Sequence, residues 1–133
     1  MKLLDTTFLI GYERGQEVIG AYLKRNEDRE FVTSTICLKE LAVGKHLVGS
    51  PTRADLTANY GWLRIVPFTL DYAYEAGALE AALHDDPGVN RDGIDSLSAD
   101  ALIAGTARSL GATVVTRNVS DFERFEGIAV ESY

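Results

Sequence analysis

Apolar residues in this chain fall into short runs separated by longer amphipathic stretches, and that alternation sets the expected elements. Lys2 to Leu4 reads as a short buried strand running directly into Asp5, and Thr6 or Thr7 is placed to cap a helix carrying Phe8, Leu9, Ile10 and Tyr12. Gly15 ends it. Glu17 to Lys24 predicts a second helix with Val18, Ala21 and Tyr22 near one face, followed by the solvated turn NEDRE. Phe31 to Thr33 is β-prone, and Ser34 or Thr35 is a natural cap for a helix from Ile36 to Val48 with Glu40 in its second turn. Ser50, Pro51 and Thr52 open a helical segment through Tyr60. Leu63 to Phe68 predicts a strand limited by Pro67. Thr69 or Asp71 then caps a helix that is apolar at Ala73, Ala76, Leu79, Ala82 and Leu83.

His84 to Leu97 holds one Pro, two Gly and five charged residues and reads as a long loop. Ser98 opens the next helix with Asp100 in its first turn, and Gly111 turns the chain into a strand from Thr113 to Thr116. A polar loop with Asn118 and Asp121 follows, and Ile128 to Val130 reads as a last edge strand. Strands alternating with helices predict an α/β fold: a mainly parallel sheet of four to five strands with helices on both faces.

Composition narrows this picture. A chain of 133 residues without a repeat, low-complexity run or linker fits one domain spanning 1–133, and 46% hydrophobic with 25% charged residues is ordinary for a globular fold. The lone Cys37 excludes an internal disulfide and a Cys-based zinc site, and is expected to pack as a small apolar group. Asp5 interrupts what would be the apolar region of a signal peptide, and no apolar run approaches the roughly 18–20 residues of a membrane span, so a cytoplasmic protein is expected. The net charge of −7 points away from nucleic acid at face value. Acids gathered around a divalent cation would reverse the local sign, however. Arg outnumbers Lys nine to four and no Lys follows Lys45, so a phosphate contact in the C-terminal half must use Arg or backbone.

Four acids stand where the ends of a parallel sheet converge: Asp5 after the first strand, Glu40 in the helix after the second, Asp100 in the helix before the fourth, and Asp121 after the fourth. Carboxylates brought together repel unless a cation joins them, and an oxygen-only set suits Mg²⁺ or Mn²⁺. Each also has a plainer reading: Asp100 as an acid favoured by the helix dipole, Glu40 as an exposed helix residue, Asp121 as a turn former. Asp5 resists one, because an acid at the exit of a buried strand needs a partner. His46 and His84 lack metal-ligand spacing, and no GxSxG, GxGxxG or GxxxxGK[ST] occurs. Asp85, Asp86, Asp92 and Asp95 read as solvated loop acids, and Tyr12, Tyr22, Trp62 and Phe68 as packing aromatics before partner contacts.

LLDTTFLI, TSTICLKELAVG and SADALIAGTARSLGATVVTRNVSDFERF together resemble the PIN-domain family, and within it VapC-type toxin ribonucleases. The resemblance implies a three-layer α/β/α fold and a Mg²⁺-dependent endoribonuclease, with Mn²⁺ as the alternative ion. It carries an acidic triad onto Asp5, Glu40 and Asp100 and a fourth acid onto Asp121. Thr6, Thr7 and Asn118 fall where the family has polar residues beside the metal, and Arg117 is a candidate phosphate contact, with a surface salt bridge as its plainer role. The partners implied are RNA, a VapB-type antitoxin and a second copy, giving a homodimer or a heterotetramer or larger. Open beside this reading are a catalytically inactive PIN-like binding module and a metal-dependent DNase of the same fold. A phosphoacceptor receiver domain is disfavoured, because Asp5 stands alone after the first strand and no Lys follows the last.

Overall fold

The five apolar runs form five strands in the computed structural model, which describes residues 1–133. In chain order the elements are β1 (Lys2–Leu4), α1 (Thr6–Glu13), α2 (Glu17–Arg25), β2 (Phe31–Ser34), α3 (Thr35–Val48), α4 (Arg53–Thr57) and β3 (Arg64–Val66). These are followed by α5 (Leu70–His84), α6 (Arg91–Leu110), β4 (Thr113–Val115), α7 (Val119–Phe122) and β5 (Ala129–Glu131). The strands pair in the order β3-β2-β1-β4-β5, every pair parallel, between two helical layers. Leu3, Leu4, Val32, Val114 and Val115 are fully buried, as a parallel sheet covered on both faces requires. Cys37 joins them in the core, where burial pushes its thiol up to about 12.

This strand order places a topological switch beside β1. The chain moves outward from β1 to β2 and β3, then returns across the sheet to β4 on the other side of β1. Crossovers leave for opposite sides at that point, so a crevice opens outside the carboxyl ends of β1 and β4.

Several boundaries differ from the sequence expectation, each for a local reason. Asp5, not Thr6 or Thr7, caps α1: its carboxylate accepts from the Phe8 backbone N–H. On α2 the inward residues are Ile19 and Tyr22, while Val18 and Ala21 are exposed. The segment after Thr52 is helical only to Thr57, held by a capping box between Thr52 and Asp55. The third strand is trimmed to Arg64–Val66.

The largest difference lies before β4. Only residues 85–90 connect α5 to α6, because the Asn90 side chain accepts from the Gly93 N–H and so caps a helix that begins at Arg91, well before Ser98. Ser98 is therefore inside the helix, its hydroxyl donating to the Asp95 carbonyl. Asp121 lies in the one-turn helix α7 rather than in open loop.

Candidate active site

Asp5 is set by the backbone before its side chain does anything. Leu4 pairs with Val115 in the β1/β4 register, so the next residues, Asp5 and Thr116, leave the sheet side by side. The carboxylate is almost fully enclosed, 3% exposed, and is held on both oxygens. Oδ1 accepts from the Thr7 hydroxyl at 2.7 Å and from the Phe8 N–H at 3.1 Å, and Oδ2 accepts from the Thr116 hydroxyl at 2.5 Å. Burial nevertheless outweighs these donors and raises the Asp5 pKa above the usual carboxylate range.

The two hydroxyls are themselves fixed. Thr7 Oγ1 accepts from the Arg117 backbone N–H and from the Tyr133 hydroxyl, and Thr116 Oγ1 accepts from the Asn118 N–H. With one proton donated and its lone pairs occupied, Thr7 cannot swing away from Asp5 without breaking all of these contacts. Thr116 and Tyr133 do not stand out in the sequence. The signal for Thr116 is the β1/β4 register alone, which no local motif encodes.

The other acids arrive from three separate elements. Glu40 projects from α3, half-buried, its pKa raised first by burial and further by Asp5, with Thr6 and Lys39 offsetting part of the rise. Glu40 Oε1 and Thr6 Oγ1 are both buried and neither makes a hydrogen bond, although Thr6 is near enough to influence the carboxylate. Asp100 sits in the third turn of α6, well past the reach of the helix N-terminus, so the helix dipole does not account for it. Its pKa is pushed up to about 6, by burial first and then by Asp121, Glu40 and Asp5 in that order. That one carboxyl group feels the other three puts Asp121, Glu40 and Asp5 all within electrostatic reach of Asp100. Asp121 is the exposed member, on α7.

The donor chemistry suits a hard divalent cation: four carboxylates, no imidazole, and a buried Glu40 oxygen without a partner, while the nearby Cys37 thiol is kept protonated by its burial. As arranged, no three of these side chains stand close enough together to form a metal-holding cluster. Arg117 makes no salt bridge. Its guanidinium donates to Gln16 Oε1 at 2.8 Å and lies 5.4 Å from the centre of the Tyr133 ring. Asn118 contributes its backbone N–H, and its side chain does not cap α7. Of the aromatics, Tyr22 is buried, Tyr12 packs on Tyr60 and Trp62, and Trp62 stays partly exposed.

The PIN-domain profile matches residues 2–128. The tRNA(fMet)-specific endonuclease VapC of Salmonella typhimurium is 31% identical over 135 aligned residues, covering 98% of this chain and 96% of that protein. DNA-bound VapBC from Salmonella typhimurium superposes with a TM-score of 0.74 at 28% identity, covering 98% and 96% of the two chains. VapBC2 from Rickettsia felis, solved with a fragment of its promoter DNA, shares the fold at a TM-score of 0.76 and 21% identity, covering 99% and 98%.

Proposed function

The chain belongs to the PIN-domain family, and from that premise we propose that it is the endoribonuclease toxin of a VapBC-type toxin-antitoxin pair, cutting RNA phosphodiester bonds with the help of Mg²⁺ or Mn²⁺. The observation that carries the proposal is the convergence of Asp5, Glu40, Asp100 and Asp121, from four elements, on the crevice beside β1 and β4. No helix is long and apolar enough to cross a membrane. The partners proposed are an RNA substrate, a VapB-type antitoxin and a second copy of the chain.

Asp5, Asp100 and Asp121 would hold the cation, with Glu40 as a fourth ligand. The cation supplies charge neutralisation at the phosphate and a more acidic water. Asp5 is oriented by Thr7 and Thr116, so its lone pairs are aimed before substrate arrives. Glu40, on a longer side chain and with one oxygen unpartnered, would orient the attacking water and take its proton. Thr6 and Asn118 would supply polar groups at the margin, and Arg117, held by Gln16 and Tyr133, would meet substrate phosphate.

The test is a cleavage assay on matched RNA and DNA oligonucleotides in Mg²⁺, with and without EDTA, with initiator tRNA as a further substrate. Wild-type protein should cut RNA and lose the activity in EDTA, while Asp5→Asn and Asp100→Asn remain folded and inactive. RNA cleavage at the wild-type rate by purified Asp5→Asn would sink the assignment, and equal cleavage of DNA would redirect it to a DNase.

A further inference from the structure

A molecule of net charge −7 has little general attraction for a polyanion, so a strand reaching the acids needs local positive charge. Five salt bridges pair Lys2, Arg29, Lys45, Arg64 and Arg108 with acids. Arg14 and Arg117 form none, and both line one cavity of about 210 Å³ with Thr7, Ile10, Gly11 and Gln16. The geometry points to this cavity as a binding site for a backbone phosphate of the RNA, next to the phosphate that is cut and distinct from it.

Three features argue for it. Arg117 is held by neutral groups only, the Gln16 side-chain carbonyl and the Tyr133 ring, so its position is fixed while its charge is not cancelled. A pre-positioned guanidinium is well suited to phosphate, which it grips through two parallel N–H donors. The cavity wall includes Thr7, whose hydroxyl also donates to Asp5. An anion seated there is therefore one side chain away from the acid site. Finally, Ile10 and Arg14 also line a neighbouring groove of about 360 Å³ that has Glu40 on its wall, so Arg14 stands between the cavity and one of the four acids.

Gly11 shapes the same wall. A Cβ there would come within 2.8 Å of Gln16 Oε1 and 3.0 Å of Ile19 Cγ1, so glycine lets Gln16 reach across to Arg117.

This inference rests on the ribonuclease reading but is measured apart from it. Binding of a fluorescein-labelled single-stranded RNA is followed by anisotropy in EDTA, where no cleavage is needed, across a series of salt concentrations. Arg14→Gln and Arg117→Gln should each raise Kd about tenfold at low salt. Each should also lower the slope of log Kd against log salt by about 0.7, the value for one single-strand phosphate contact. Arg117→Lys should restore the slope and part of the affinity. Both arginines are exposed, and thermal melting verifies that the variants are folded.

Unchanged Kd and slope in both Gln variants, or no RNA binding by the wild type in EDTA, would overturn the site. Loss of binding to the purified antitoxin with RNA affinity intact would do the same, assigning the arginines to an acidic peptide. If the arginines hold RNA but wild-type protein in Mg²⁺ cuts nothing, the ribonuclease reading fails and the phosphate site stands.

Discussion

Asp5 serves two structural purposes before any chemistry: it caps α1 through the Phe8 N–H and accepts hydrogen bonds from two hydroxyls in a nearly closed site. Leaving a buried carboxylate short of one donor costs roughly 1–3 kcal/mol, more than an average hydrogen bond contributes. Thr116→Val should therefore lower stability by about that amount in a denaturant titration and reduce the cleavage rate, because the carboxylate loses its orientation. Thr116→Ser, which keeps the hydroxyl, should recover both. If valine and serine behave alike, Thr116 is filling space and not aiming Asp5. The sequence showed Asp5 as the acid hardest to explain away, yet it could not show Thr116. The two meet only because Leu4 and Val115 are in register, a long-range pairing that leaves no local trace.

At the scale of elements, α5 and α6 decide where Asp100 stands. Gly105, just over one turn beyond Asp100 on α6, lies so close to α5 that an added Cβ would fall 2.5 Å from the Ala76 nitrogen and 2.7 Å from its Cα. Backbone cannot yield as a flexible side chain would, so Gly105→Ala should destabilise the protein by about 1–3 kcal/mol. Gly77 on α5 faces open space, and Gly77→Ala should instead be neutral or stabilising by up to roughly 1 kcal/mol from helix propensity. Equal melting temperatures for the two variants would contradict the close helix contact. The early turns of α6 were hidden in the sequence because Pro87, Gly88, Gly93 and a run of charges look like loop. The signal lay in Ile94, Leu97, Ala101 and Ala104, which are buried at helical spacing and continue the stripe backwards from the expected start. Strand positions were legible because apolar runs ending in polar residues need only local context. Caps and helix starts were less so, since several residues competed for each.

For the whole molecule the governing fact is that like charges are gathered in a protein already at −7. The pKa of Asp100 is raised to about 6, and those of Asp5 and Glu40 are raised as well. An acid whose folded-state pKa lies above its unfolded value binds its proton more tightly in the folded state. It thus favours folding at low pH, and that contribution is lost as pH rises from the unfolded value near 4 through about 6. With solvent screening allowed for at half-buried Asp100, the loss between pH 5 and pH 7.5 should be about 1–2 kcal/mol, read as a melting temperature several degrees higher at pH 5 in EDTA. Divalent cation should act in the opposite sense. It competes with protons for the same carboxylates, so millimolar Mg²⁺ should raise the melting temperature at pH 7.5 and much less at pH 5. Asp100→Asn removes the charge that Asp121, Glu40 and Asp5 oppose, so it should flatten the pH dependence and weaken the Mg²⁺ response together. If the pH dependence flattens and the Mg²⁺ response is untouched, the crowded acids set the stability profile while the ion binds elsewhere.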